Sequence, residues 1–324
     1  MTLSSPPPRL SIVIVTWNCG ALLADCLASI RTHGGAVAHE VIVVDNASAD
    51  DSLQVAARAC PEARLIANTG NHGFAVACNQ GMRLARGEYI LLLNPDTVLT
   101  QPDTLRRLCD RLDAHPEIDM AGVRLVFPDG RYQVGDAGHC PTPGATIAHA
   151  LFLSRLCQRC FPALQLQWTP PRGAYQRVGW VCGGSTVVRR TALAHGGGLD
   201  ESFFMYGEDV EWGCRYTAAG RVVAYLSDIE IVHVQGGTQA AGAHAGPPGT
   251  RWIDGLARQY VRHNQGRHFW AFRTLALGFA LRAALYRLAG LAGAQAPRRR
   301  QQARAMGAYA RHVWHMAPPA TSGD

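Results

Sequence analysis

Two apolar runs in this chain end abruptly in a carboxylate, and a third acidic pair stands behind a group of aromatic residues. The runs are Tyr89-Ile-Leu-Leu-Leu-Asn-Pro-Asp96 and Glu40-Val-Ile-Val-Val-Asp45; the pair is Glu208-Asp209, after Phe203, Phe204 and Tyr206. An aspartate held where a buried strand ends can grip a divalent cation on a phosphate or accept a hydrogen bond from the N–H edge of a base. A carboxylate against aromatic walls loses part of its hydration, which raises its pKa toward the range of a general base. Each residue also has a plainer reading. Asp96 could start a turn before a helix that begins near Pro102, and Asp209 could cap a helix over 210–218 with Arg215 as its partner. His233, within Ile229-Glu-Ile-Val-His-Val234, could be a packed strand histidine. Asp50 and Asp51 read as caps of the helix that follows them. The plainer readings do not explain the gathering: carboxylates at one sheet edge repel each other unless a cation or a hydrogen-bond donor lies between them.

The elements that must position these residues alternate along the chain. Residues 10–16, 40–45, 63–67 and 89–93 read as strands, whereas 21–30, 53–59, 74–85 and 104–114 carry apolar residues at helical spacing. That rhythm predicts an α/β fold, a Rossmann-like and mostly parallel sheet with right-handed crossovers and helices on its faces. A strand at 120–127 runs into Pro128-Asp-Gly130, a turn signal. The stretch 135–177 is irregular and rich in proline and glycine, with a helix or a mobile loop at 147–161; it reads as part of an acceptor or lid region. Within 178–190, Gly183 and Gly184 stand where backbone can approach a ligand closely, near Trp180. The expected division is a catalytic domain at 1–245, its nucleotide half at about 10–115 and its acceptor half at about 116–245, followed by a helical extension at 246–324.

Composition narrows the chemistry. With 324 residues, 48% of them hydrophobic, the chain can bury a large core, and its net charge of +7 points to an anionic partner. Every fixed cation is arginine, because the sequence contains no lysine, which excludes a P-loop lysine and a Schiff-base lysine. The turn after the first strand, Trp17-Asn18-Cys19-Gly20, lacks Gly-x-Gly-x-x-Gly and so argues against a dinucleotide on that helix. A nucleic-acid binder would explain the charge but not acidic strand ends, which repel phosphate unless metal intervenes. The ten cysteines are scattered, mostly in apolar segments; Cys157 and Cys160 have metal-like spacing but no second pair. Met1 to Pro8, polar and rich in proline, do not read as a signal peptide, and a cytoplasmic location is expected.

Six motifs occur in one order between about 10 and 240. They are Ser11-Ile-Val-Ile-Val-Thr-Trp-Asn18, Val43-Val-Asp-Asn-Ala-Ser48, Asn68-x-Gly-x-x-Gly-Phe-Ala75 with Asn79-Gln-Gly81, Leu93-Asn-Pro-Asp96, Gly198-Leu-Asp-Glu-x-Phe-Phe-Met205 with Glu208-Asp209, and His233-x-x-Gly-Gly-Thr238. The series resembles the family-2 inverting glycosyltransferases of the GT-A fold, most closely their bacterial rhamnosyltransferase-like branch. The resemblance implies that Asp45 accepts the imide N–H of uracil or thymine, with Thr16, Asn18, Asn79 and Asn94 also on the nucleotide. Asp96 would bind Mg²⁺ or Mn²⁺ on the donor diphosphate, His233 would add a metal contact, and Asp209 would be the catalytic base. Trp180, Gly183, Gly184, Glu208 and Arg215 would touch donor or acceptor. One departure is Cys78, where many relatives carry arginine, so neutralising the diphosphate would fall more on the metal or on an arginine such as Arg215. The implied activity moves a sugar, L-rhamnose from dTDP-L-rhamnose before a UDP-sugar, to a glycan or polyprenyl-linked acceptor in cell-envelope polysaccharide synthesis. An inactive sugar-nucleotide-binding relative is the alternative that such a resemblance leaves open.

Beyond 249 the sequence is helix-like and rich in Leu, Ala and Arg, but Arg273, Arg282 and Arg287 interrupt its apolar runs short of the ~20 residues that span a bilayer. Two readings stay open. The helices could lie as a peripheral element on the inner face of the cytoplasmic membrane, with Arg298-Arg-Arg300 and Arg304 on anionic headgroups. They could instead pack on the catalytic domain or in a dimer.

Overall fold

The computed structural model describes residues 7–151, 175–234, 268–291 and 295–316, with 153, 161, 164–166, 250, 253–255 and 257 between them. Cys157, Cys160 and the Gly236-Gly-Thr238 end of the last motif lie outside the described residues. Strand β1 (Leu10–Thr16) pairs in parallel with β2 (His39–Asp45) and with β4 (Tyr89–Leu93), and β3 (Arg64–Ala67) adds to the free side of β2. The crossovers are the helices α1 (Gly20–His33), α2 (Ser52–Ala59) and α3 (Phe74–Leu84). β4 is buried along its whole length, as a strand covered on both faces must be. Leu10, Ile12, Ile14, Val43 and Leu91 share one core with Leu23, Leu27 and Ile30 of α1. On the other face α3 approaches β1 so closely that a Cβ on Gly81 would lie 2.3 Å from Val13 Cγ1.

Beyond β4 the sheet is mixed. β10 (Ser185–Arg189) runs antiparallel to both β4 and β6 (Ile118–Val126), and β6 pairs in parallel with β11 (Val222–His233). β11 in turn carries two short antiparallel partners, β5 (Thr97–Leu99) and β8 (Gln176–Arg177). The strand order is β3-β2-β1-β4-β10-β6-β11-β5. The apolar stretch 178–190 is not one strand but is broken at Cys182–Gly184: Trp180–Val181 is β9, which joins β7 (Ala137–Gly138) in a separate ribbon. The fold is completed by α4 (Thr104–Ala114), α6 (Arg190–Gly196) and α7 (Glu208–Ala218).

The chain divides into two compact units, one of 1–138 with 168–244 and one of 139–167 with 245–324. Residues 139–167 therefore group with the C-terminal helices, whereas the sequence division puts them in an acceptor half. The reason is a helix, α5 (Pro143–Ala150), capped by Thr142, whose Oγ1 accepts the Ala145 N–H at 3.1 Å. Arg282, from α8 (His268–Ala289), donates to the His149 carbonyl at 2.5 Å. Phe272, Leu275, Ala276 and Phe279 of α8 form the core of this unit with Val313 of α9 (Ala296–His315), Ile253 and Ala257. Among the described residues no helix is long and apolar enough to cross a membrane. Cys140 is disulfide-bonded and so is Cys214, whereas Cys19, Cys26, Cys60, Cys78, Cys109 and Cys182 are free thiols.

Candidate active site

The parallel register sets Thr16 beside Asp45 where β1 and β2 end. Both are buried. Asp45 Oδ2 accepts the Ser48 N–H at 3.1 Å, while Oδ1 has no hydrogen-bond partner. Asn18, in the left-handed region at φ 52°, ties the two loops together: its Oδ1 accepts from Ala49 N at 2.6 Å and its own N–H donates to Ser48 Oγ at 2.9 Å. Asp50 reaches the start of the expected helix, α2, and that of α1 as well. Its Oδ2 accepts from Gly20 N, the first residue of α1, at 3.2 Å, and Oδ1 takes the Ser52 N–H at 3.0 Å. Asp51 does occupy the N-cap of α2 but makes no side-chain cap bond there. Asn46 escaped sequence reasoning, although it follows Asp45 directly. It donates to Asn71 Oδ1 and Gly73 O and accepts from Asn68 and His72, so it shapes the glycine-rich turn before α3.

Asp96 lies just past β4, buried to 3% exposure. The pairing of β5 with β11 puts Thr97 opposite His233, and Val234 N donates to the Asp96 carbonyl at 2.9 Å. The His233 imidazole Nε2 consequently stands 3.2 Å from Asp96 Oδ1, an oxygen that makes no hydrogen bond. On the far side of the ring, Nδ1 is 3.1 Å from Gln133 Oε1. In the tautomer that donates from Nδ1 to Gln133, Nε2 turns its lone pair toward Asp96. Gln133 was not legible as a site residue. It is delivered by the Pro128-Asp-Gly130 turn, which folds Tyr132 back onto Val126 and hydrogen-bonds Gln133 N to Leu125 O.

The third group is held by α7. Tyr206 at φ 70° and Gly207 at φ 96° aim the first turn of that helix into the site. Asp209 accepts the Gly183 N–H through Oδ2 at 3.1 Å and the Val210 N–H through Oδ1 at 2.8 Å. Burial nonetheless lifts its carboxyl above the ordinary value, against those two bonds. Glu208 is lifted as well, to about 8, first by burial and then by the neighbouring charge of Asp209, and its Oε2 is unpartnered. Cys78 faces Glu208, whose charge, after burial, pushes the thiol well up.

Other expected contacts are committed elsewhere. Asn79 donates to Leu199 O and Glu201 Oε1 and accepts from Leu199 N, so both ends of its amide clamp the 199–201 turn instead of facing a nucleotide. Arg215 is likewise spent on Glu211 Oε1 at 2.9 Å, Gly198 O at 2.6 Å and Gly196 O, which removes it as a diphosphate cation. Trp180 is buried, with the Gly213 Cα face of α7 against its backbone. Asn94 packs its amide on Gly184, where a Cβ would come within 3.2 Å of Nδ2. Ser185, at the same sheet end, has a buried Oγ without a partner; nothing but its place after the glycine pair marks it in the sequence. Trp17 and Phe204 expose 39% and 50% of their surface, and Phe204 O takes the Phe74 N–H at 2.7 Å where α3 begins.

Residues 11–163 match the family described as Glycosyl transferase family 2. Over 239 residues the chain is 30% identical to the N-acetylglucosaminyl-diphospho-decaprenol L-rhamnosyltransferase of Mycobacterium tuberculosis, spanning 69% of this chain and 75% of that protein. The chain belongs to the family-2 glycosyltransferases. It is also 26% identical over 245 residues to the O-antigen biosynthesis protein RfbC of Myxococcus xanthus, covering 73% of this chain but 18% of that longer one. Among solved structures, the mannosyltransferase PcManGT from Pyrobaculum calidifontis, in complex with GDP-Man and Mn2+, superposes with a TM-score of 0.54 at 18% identity, covering 97% of this chain and 89% of that one. S. aureus TarS 1-349 in complex with UDP gives 0.52 at 15%, over 93% and 89%. These likenesses establish the GT-A fold of this glycosyltransferase.

A divalent cation suits one corner of the enzyme's site. Asp96 Oδ1 is a buried carboxylate oxygen without a hydrogen bond, and the His233 imidazole Nε2 stands 3.2 Å from it. Among the described residues no group of three or more His, Cys, Asp or Glu forms a closed ligand set. Two such side chains would leave coordination positions for substrate oxygens, the arrangement typical of a cation held on a phosphate.

Proposed function

We propose that this enzyme is a metal-dependent inverting glycosyltransferase that moves L-rhamnose from dTDP-L-rhamnose to a polyprenyl-diphosphate-linked sugar. The observation that carries this reading is the set of orphaned buried acceptors at one sheet end, Asp45 Oδ1, Asp96 Oδ1, Ser185 Oγ and Glu208 Oε2. Buried polar atoms without partners are costly, and a ligand that supplies N–H, O–H and cationic partners relieves that cost. Asp45 Oδ1 suits the imide N–H of thymine or uracil, at the end of the strand beside Thr16. Asp96 and His233 would hold Mg²⁺ or Mn²⁺, which when bound would neutralise charge on the departing nucleoside diphosphate. Rhamnose and the lipid-linked acceptor rest on the mycobacterial relative, whose name states both; a UDP-sugar fits Asp45 equally well.

The chemistry then falls to Asp209, the carboxylate in the aromatic-walled end of the site. Asp209 takes the proton from an acceptor hydroxyl; the oxygen's electron pair forms the new bond to the anomeric carbon from the face opposite the diphosphate. The old C–O bond breaks with its electrons going to the diphosphate, and the anomeric centre inverts. Burial serves this step, because a raised pKa makes the carboxylate a stronger base. Asp209→Asn should therefore lower transfer by about 10²- to 10⁴-fold with dTDP binding unchanged. The measurement is radiolabelled transfer to a lipid-linked acceptor, alongside nucleotide titration. A variant that transfers at most of the wild-type rate would remove Asp209 from the role, and a protein that binds nucleotide sugar but never transfers it would be the inactive relative.

A further inference from the structure

We infer that α8 and α9 form a docking surface for an anionic lipid bilayer, and that the enzyme lies on the membrane through an apolar stripe on α8. At 100° per residue Trp270, Leu277, Leu281, Leu285 and Leu288 fall on one side of that helix. All five are exposed, Trp270 at 75% and Leu288 at 65%, while the opposite side of α8, Phe272, Leu275, Ala276 and Phe279, is used up in the core of its own unit. A contiguous row of this kind is unusual on a surface that meets only water.

Charge decides what covers it. α8 and α9 together carry eight arginines, Arg273, Arg282 and Arg287 on the first and Arg298, Arg299, Arg300, Arg304 and Arg311 on the second, and no aspartate or glutamate. Arg273 and Arg287 border the stripe on the side of α9, where Arg273 lies 4.4 Å over the Trp314 ring and Arg287 stands near Gly307. Arg298, Arg300, Arg304 and Arg311 are exposed. A second copy of this chain would bring the same positive field to the stripe and repel it. Anionic headgroups would meet the arginines while the leucines enter the acyl boundary and the exposed tryptophan sits at the headgroup level. The helix lies in the interface and does not span it.

The test is co-sedimentation of the full chain, without donor or acceptor, with vesicles of phosphatidylcholine alone or mixed with phosphatidylglycerol. Binding is expected only to the mixed vesicles and should weaken as salt rises. Leu277→Glu with Leu288→Glu should cut it by more than about tenfold, because two apolar side chains leave the acyl region and two anions enter a negative surface. Arg298→Gln with Arg304→Gln should weaken it by roughly thirtyfold, at about one kcal/mol per arginine. Both pairs are exposed, so circular dichroism and transfer to a short-chain soluble acceptor should match the wild type. Sedimentation of the Leu277→Glu, Leu288→Glu chain like the wild type, or dissociation of a wild-type dimer by those substitutions, would overturn the proposal. Either result leaves the transferase reading untouched, since that reading falls on the Asp209 assay and not on lipid binding.

Discussion

His233 shows how a single contact changes what a residue can do. In an alternating strand it has the form of a packed histidine, yet its Nδ1 stands 3.1 Å from Gln133 Oε1 and its Nε2 3.2 Å from Asp96 Oδ1. The partner of a ligating histidine sets both its tautomer and its orientation, and losing that partner typically costs about 10- to 100-fold in metal affinity. Gln133→Leu keeps the volume and removes the acceptor. Titration of Mn²⁺ in the presence of dTDP, followed by the loss of free-ion paramagnetic signal, should show weakening within that range, with Gln133→Glu retaining more affinity than leucine. Equal affinities in all three proteins would mean that Gln133 only packs.

At the scale of elements, close backbone contacts hold the base in place. Gly213 of α7 lies against β9 so tightly that a Cβ would come within 2.6 Å of Trp180 Cα and 2.8 Å of Gly179 O, backbone atoms that cannot turn aside. Gly213→Ala should push α7 off the ribbon, cost about 1–3 kcal/mol of stability, and draw Asp209 away from Gly183 N. The expected kinetic signature is a fall in kcat with little change in donor affinity; a normal kcat at a lowered melting temperature would separate packing from positioning. Asp136 joins the hairpin that carries Gln133 to β11, accepting from Tyr132 at 2.5 Å and Tyr225 at 2.6 Å. Burial pushes its carboxyl up to about 6 despite those bonds. The folded state then holds a proton that the unfolded chain has released between pH about 4 and 6, so stability falls as pH rises through that window, by about 3 kcal/mol in all. Asp136→Asn should flatten that part of the pH dependence of the urea midpoint; an unchanged slope would assign it to other groups.

The elements also show what sequence can and cannot carry. The strands that end in Asp45 and Asp96 and the helix that begins at Glu208 were legible, because continuous burial and helical spacing are written locally. Strand direction is not, and neither the antiparallel entry of β10 nor the three-residue β5 left a periodic signal. Yet β5 is what sets His233 opposite Thr97. Gln133 and Ser185 belong to the site by tertiary approach alone. Arg215 and Asn79 matched a family pattern but spend their hydrogen bonds on the 196–201 turn, which makes them positioning residues for the loop before α7.

For the molecule as a whole, the unpaired acceptors make stability a readout of binding. Each buried oxygen without a partner costs about 1–3 kcal/mol, and Asp45, Asp96, Ser185 and Glu208 contribute four of them at one end of one sheet. A ligand that pairs them binds the folded chain and not the unfolded one. At a hundredfold excess over its Kd such a ligand adds about 2.7 kcal/mol, a rise in melting temperature of roughly 5–10 °C for a unit of this size. dTDP with Mn²⁺ should give that shift, and EDTA should remove most of it. Asp96→Ala should abolish the metal-dependent part while its ligand-free melting temperature equals or exceeds that of the wild type, because the substitution deletes a buried anion together with its unmet partner. That sign distinguishes a binding oxygen from a structural one. A ligand-free Asp96→Ala protein that melts well below the wild type would mean that Asp96 holds the fold, through the β5 and β11 pairing beside it, and that its buried carboxylate is not reserved for a cation.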